Sequence, residues 1–349
     1  MNIESFDDRV ALYRRELELC KVNASETVAV LTVGEGFAQR ADAFAAAAQQ
    51  LGAKVVRVRA RPAPGTDNPM ASLGINTLGQ DPDAMAQLKA VDLVIDLMLL
   101  LWSKEQLEIQ AAGTRILMAV DADENLERLF PSEDLRHRIE AGERRLRRAR
   151  RLCFTNAAGT DISYDIEGSP VLTEYGYTDT PGRWDNWPGG LLATGARDRA
   201  VNGTVVLDRG DIIYYPVARQ LDGRVTLTVA DGYVTDIAGG AEAEELRRYI
   251  ASYDDPRAYA VSHIGWGFNE RCRWAERRPD GSTDVGMIDG RAYYGNVLFS
   301  TGPDLEIGGS NDTPCHLDMP MLGCTLWLDD EMILEQGRIL PADMRVAGR

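Results

Sequence analysis

Residues 28–58, VAVLTVGEGFAQRADAFAAAAQQLGAKVVRV, decide the fold class. The apolar run 28–33 has the length of a buried strand and ends at Gly34. An alanine-rich helix over 38–51 follows, closed by Gly52, and 54–58 is a second strand. The same rhythm extends in both directions. An amphipathic helix over 6–20 precedes it, and Pro62, Pro64 and Gly65 mark a loop after it. A helix over 82–89, a strand over 93–97, a helix over 103–111 ending at Gly113 and a strand over 115–120 complete the series. Repeated βαβ units predict a doubly wound parallel sheet with helices on both faces. Gly34-Glu35-Gly36 is followed by Phe, Ala and Gln, so no GxGxxG supports a dinucleotide site.

Beyond a long helix predicted over 133–151, which reads as a connector, the pattern changes. Short alternating strands are expected at 204–207, 212–215, 224–229 and 233–238, with turns at 208–210, Asp222-Gly223 and Asp231-Gly232. The 208–211 segment (DRGD) reads as a hairpin turn, and one helix is expected over 241–252. The fold class is therefore α/β. Residues 1–150 form a doubly wound, Rossmann-like domain, and 151–349 an α+β domain with a mixed or antiparallel sheet.

Composition narrows the function. The chain has 349 residues, 44% hydrophobic and 26% charged, which excludes a disordered or fibrous protein. A net charge of -16 argues against nucleic acid or anionic membrane as a partner. The basic run 136–151, interrupted by Glu140 and Glu143, reads as a solvated helix face or a subunit contact. The opening residues lack the apolar core of a signal peptide, and the apolar stretch 91–102 is too short to span a bilayer. Five irregularly spaced cysteines without a CxxC pair suggest a reducing compartment, the cytoplasm.

Only three histidines are present. His137 sits in the basic helix and is expected to face solvent. His263 (VSHIGWG) and His316 (TPCHLDMP) lie in unusual contexts. His316 and Asp318 are two apart, so an extended segment turns both side chains to one face, as two cis ligands of one metal require. A second histidine completes a 2-His-1-carboxylate face that leaves positions open for substrate and O₂, the pattern of non-haem Fe(II) oxygenases. Taken alone, the spacing also fits an ordinary hydrogen-bonded histidine. Glu174 reads either as a strand-end partner of an arginine or as a further ligand or orienter. Trp184 and Trp187 flank a loop over 185–190 fit to wall an aromatic pocket, or else plug the core. Ser300 and Thr301, followed by Gly302-Pro303, are expected in a loop with exposed hydroxyls.

The blocks TEYGY (173–177), PGRWDNWP (181–188), SHIGWG (262–267), YGNVLFSTGP (294–303) and TPCHLDMP (313–320) together resemble the 2,5-dihydroxypyridine 5,6-dioxygenase family, distantly related to thermophilic-type leucyl aminopeptidases. The resemblance spans nearly the whole chain. It implies Fe(II) on His263, His316 and Asp318, and a cytoplasmic homo-oligomer. Where the family carries histidines, this chain has Asn186 and Trp102. Asparagine hydrogen-bonds a hydroxyl but exchanges no proton at neutral pH.

The expected activity is therefore extradiol-like ring cleavage of a hydroxylated aromatic or N-heteroaromatic substrate by O₂. Asn186 and Ser300 would act as catalytic hydrogen-bonding groups, and Trp102, Glu174, Trp184, Trp187 and Thr301 would line the pocket. Two alternatives stand beside it. One is a metal-dependent hydrolase, with Glu174 and Glu306 as recruits for a second metal. The other is a metal-free binding protein for a small aromatic ligand.

Overall fold

The computed structural model describes residues 3, 5–34, 37–63, 74–215, 217–277, 283–284 and 288–348; Glu35, Gly36, Pro64 and Gly65 lie outside them. The chain divides into two compact units, one of Met1–Ser132 with Glu174–Gly189, the other of Glu133–Thr173 with Gly190–Arg349. This differs from a linear boundary at residue 150, because the chain returns to the first unit to add a strand.

The first unit holds five parallel strands: β1 (Thr27–Val33), β2 (Lys54–Ala60), β3 (Leu93–Asp96), β4 (Arg115–Met118) and β8 (Trp184–Asn186), in the order β2-β1-β3-β4-β8. Burial of β3 and β4 at every position fits a sheet covered on both faces. The strand order reverses at β1. Right-handed crossovers therefore put α2 (Ala38–Gln50) on one face and α3 (Pro82–Leu88) and α4 (Lys104–Ala111) on the other. α1 (Phe6–Leu19) starts in a capping box, the Ser5 hydroxyl accepting from the Asp8 amide while the Asp8 carboxylate accepts from the Ser5 amide. It packs on α2 through Tyr13 and Phe44, stacked at 4.0 Å. A short α5 (Asp123–Arg128) was not expected.

The second unit is built on two antiparallel sheets. The larger contains β5 (Arg151–Thr155), β6 (Asp161–Asp165), β10 (Val201–Leu207), β13 (Val225–Ala230), β14 (Tyr233–Gly239), β20 (Thr325–Leu328), β21 (Glu331–Glu335) and β22 (Arg338–Ile339), in the order β14-β13-β10-β6-β5-β20-β21-β22. The other runs β12-β11-β19-β18-β15-β9-β7, with β7 (Val171–Glu174), β9 (Leu191–Gly195), β11 (Ile212–Tyr215), β12 (Val217–Gln220), β15 (Val261–Gly267), β18 (Val297–Thr301) and β19 (Leu317–Met321). A small ribbon joins β16 (Glu276–Arg277) and β17 (Thr283–Asp284). α6 (Glu133–Leu146) packs on β9, and α7 (Ala241–Ala251) on β14.

Two expectations are corrected here. The connector helix ends at Leu146, because from Arg151 the backbone joins β6 and β20 in a ladder. Residues 208–211 are not a hairpin turn: β10 pairs with β6 and β13, whereas β11 pairs with β12 and β19, so this is a corner between sheets. The basic run is mostly exposed, as a solvated face implies, with Arg144, Arg147, Arg148, Arg150 and Arg151 on the surface, but two arginines turn inward to partners. Arg138 is buried and donates to Asp134, Glu270 and the Phe268 carbonyl, and Arg145 reaches Glu331 and Asp343. His137 is exposed, as its charged surroundings suggested. Among the described residues no helix is long and apolar enough to cross a membrane.

Candidate metal centre

The site forms across three neighbouring strands of the second unit, β15, β18 and β19. Between β18 and β19 the register sets Ser300 opposite Asp318, and on the far side of β19 Tyr214 of β11 also faces Asp318. Between β15 and β18 the pairing runs Val261↔Thr301 and then Ile264↔Phe299. Two residues, Ser262 and His263, thus oppose the single Ser300. That is a β-bulge, which re-aims side chains without ending the strand. Continuing the register from Ile264↔Phe299 sets His263 level with Ser300, so His263, Ser300 and Asp318 form a row across the sheet. His316, two residues before Asp318, turns to the same face as the alternation predicts.

These side chains converge. Nε2 of His263 and of His316 lie 3.4 and 3.3 Å from Oδ1 of Asp318. The rings stand 5.5 Å apart, nearly parallel, and all three residues are buried. Donor atoms of the three fall within 4.8 Å of one another, the single group of three or more such residues among those described. Cis donors on a metal with ~2.1 Å bonds stand roughly 3 Å apart, so the set fits a cation. Asp318 supplies the decisive detail. Its Oδ2 accepts from Arg291 Nε at 2.5 Å, while Oδ1 is buried and, among the described residues, meets only the two imidazole nitrogens without a well-formed hydrogen bond, a group that costs stability unless something positive completes it.

Electrostatics suit the same purpose. Burial opposes ionisation of Asp318, but the neighbouring His316 and Arg291 outweigh it and hold the carboxyl well below the usual range. Burial pushes the His263 pKa down, against the pull of Asp318, which favours the neutral, ligating imidazole. Arg291 lies over the Tyr214 ring at 4.3 Å. Its backbone is pinned by buried Asn296, whose side chain donates to the Gly290 and Arg291 carbonyls and accepts from the Gly267 amide. Gly302, at φ +110°, lets β18 end against the Cys315–His316 backbone, where a Cβ would come within 2.1 Å of the Cys315 carbonyl.

A model of the 2,5-dihydroxypyridine 5,6-dioxygenase family matches residues 8–341. The chain belongs to that family. It is 41% identical over 333 residues to the 2,5-dihydroxypyridine 5,6-dioxygenase of Pseudomonas putida, covering 94% of this chain and 95% of that one. The solved structure of the dioxygenase from Pseudomonas putida KT2440 superposes with a TM-score of 0.92 at 40% identity, over 98% of this chain and 99% of that one. AmpT from Thermus thermophilus aligns at a TM-score of 0.59 and 12% identity, over 97% and 100% of the two chains, and shares the fold alone.

Within this member of the dioxygenase family, His263, His316, Asp318, Ser300 and Thr301 come together on adjoining strands. Ser300 and Thr301 are not in an exposed loop, since they end β18 and are buried, with hydroxyls that have no hydrogen-bond partner among the described residues. Alternation turns Thr301 to the face opposite Ser300, away from the row. The other expected residues belong to the first unit. Trp102 is buried after β3 at φ +56°. Trp184 and Asn186 lie in β8, a strand where a loop was expected, paired to Ile116 and Met118. Trp187 is fully buried, edge-on to Tyr13, Phe44 and Phe130, and so plugs the first unit's core rather than walling a pocket. Glu174 ends β7 and is buried, outside the three-residue donor group. The sequence reading missed Arg291, Asn296, Ser262 and Tyr214. Asn296 and Ser262 stand inside quoted blocks, but their roles, like those of Arg291 and Tyr214, depend on contacts that only the fold makes.

Proposed function

We propose that the protein is a non-haem Fe(II)-dependent, ring-cleaving dioxygenase acting on a hydroxylated aromatic or N-heteroaromatic ring of the 2,5-dihydroxypyridine type. The observation that carries this is Asp318 Oδ1, buried, without a well-formed hydrogen bond among the described residues and facing two imidazole nitrogens, in a chain of this family. His263, His316 and Asp318 would hold the iron. Fe(II) on such a face supplies redox chemistry toward O₂ and leaves positions open for substrate.

The chain's own share is orientation and electrostatics. Arg291 holds Asp318 ionised and fixes which oxygen it presents. Burial keeps His263 neutral and water away from the donors. Ser300, level with Asp318 in the row, offers a buried hydroxyl as donor or acceptor to a ring oxygen. Five free cysteines, four of them buried, agree with work in a reducing compartment.

The test is anaerobic reconstitution with Fe(II), followed by an oxygen-electrode screen of dihydroxypyridines, aminophenols and hydroquinone-like acids. O₂ uptake matched to ring opening is expected with at least one of them. Turnover that proceeds in full without O₂, or that needs two zinc ions per chain, overturns the proposal.

A further inference from the structure

The far nitrogen of His263 is held by a neighbour whose hydrogen bonds leave no choice of direction. Ser262 Oγ lies 3.2 Å from His263 Nδ1, and the same oxygen contacts the Pro303 carbonyl in a short hydrogen bond. A carbonyl oxygen only accepts, so the single hydroxyl proton of Ser262 goes to Pro303. The oxygen is then an acceptor toward His263, and Nδ1 must carry the proton. The bulge makes this possible. Ser262 is the extra residue of β15 opposite Ser300, and the broken alternation brings its hydroxyl beside the following ring.

We propose that Ser262 is the positioning residue of the metal centre, relaying Nδ1–H to Oγ and Oγ–H to Pro303. His263 is thereby locked in the tautomer whose Nε2 lone pair faces Asp318. The inference rests on the metal-site reading above but not on the reaction. Outer partners of this kind fix ring orientation and donor strength in metal-bound histidines. Ser262 also lines a cavity of about 410 Å³, and threonine is the substitution that keeps its hydroxyl.

With only three histidines in the chain, nitrogen NMR of the metal-free, histidine-labelled protein reads the tautomer directly, the His263 signal being assigned by its loss in His263→Gln. The expected result is His263 protonated at Nδ1; an unprotonated Nδ1 overturns the proposal. Co(II) titration supplies the second arm. Ser262→Ala is expected to lose about 10–100-fold in Co(II) affinity, and Ser262→Thr to restore it. Co(II) binding by Ser262→Ala within twofold of the parent, with the tautomer unchanged, also overturns it. A parent chain that binds no Co(II) would instead sink the metal-site reading, and the tautomer measurement would still judge Ser262.

Discussion

Two buried aspartates, one in each unit, stand in opposite situations. Asp185, in β8, is saturated: it accepts from the amides of Tyr175, Gly176 and Asn186 and from the Arg183 guanidinium. Burial nevertheless pushes its carboxyl up, the Arg183 charge offsetting only part of that cost. Asp318, in β19, is half satisfied, with Arg291 on one oxygen and two imidazoles facing the other. The saturated carboxylate ties a strand to its neighbours, and the half-satisfied one, under the metal-site proposal, would keep an oxygen for a ligand. Burial alone does not separate a structural acid from a functional one. Nor does a bare oxygen by itself, since Glu16 Oε2 and Asp121 Oδ2 also lack a hydrogen bond among the described residues; the convergence of two imidazoles is what distinguishes Asp318.

Substitutions on the two sides should therefore separate. The largest effect is expected from His316→Ala, which removes one of the two imidazoles facing Asp318. Metal affinity should fall by more than the ~100-fold that marks the upper end for outer partners, with little change in the unfolding midpoint. Metal titration beside thermal melting checks this, and equal losses of binding and stability would erase the distinction. At the other carboxylate, Asp185→Asn leaves Arg183 short of its counter-charge and should cost about 3 kcal/mol, read as a lower urea midpoint. Retained stability in that variant would mean that saturation is not what Asp185 contributes.

Ser300→Ala should keep the metal and lose about tenfold in turnover, the worth of one ordinary hydrogen bond. Loss of metal along with turnover would make Ser300 part of the metal's support instead. The smallest effect concerns a third buried carboxylate, Asp211, held by the Asp208 and Leu322 amides and pushed by burial from 3.8 to about 6. Its folded pKa is the higher one. The stability it contributes is thus full below 3.8 and declines as pH rises toward about 6. Asp211→Asn should flatten that part of the stability profile, which urea unfolding at a series of pH values reads.

Much of the first unit was legible in the sequence because its strands are apolar runs separated by helices, so local period carries the pattern. β8 was not, since a three-residue strand has too little period to see and its pairing partner, β4, is distant in sequence. The His316–Asp318 pair was visible because both residues sit on one extended segment. The place of His263 depended on a bulge, and Arg291 acts on another strand's carboxylate, so neither could be read locally. Ser300 and Thr301 resembled a turn because Gly302-Pro303 follow, yet the ladder to β19 runs through both.

The central claim is that the metal face couples O₂ to ring cleavage, and heavy-isotope oxygen tests it most directly. With Fe(II)-loaded protein and a dihydroxypyridine under labelled O₂, both oxygen atoms gained by the opened product should come from the gas. Label entering instead from heavy water, with none from O₂, would contradict the account and make the site a hydrolase.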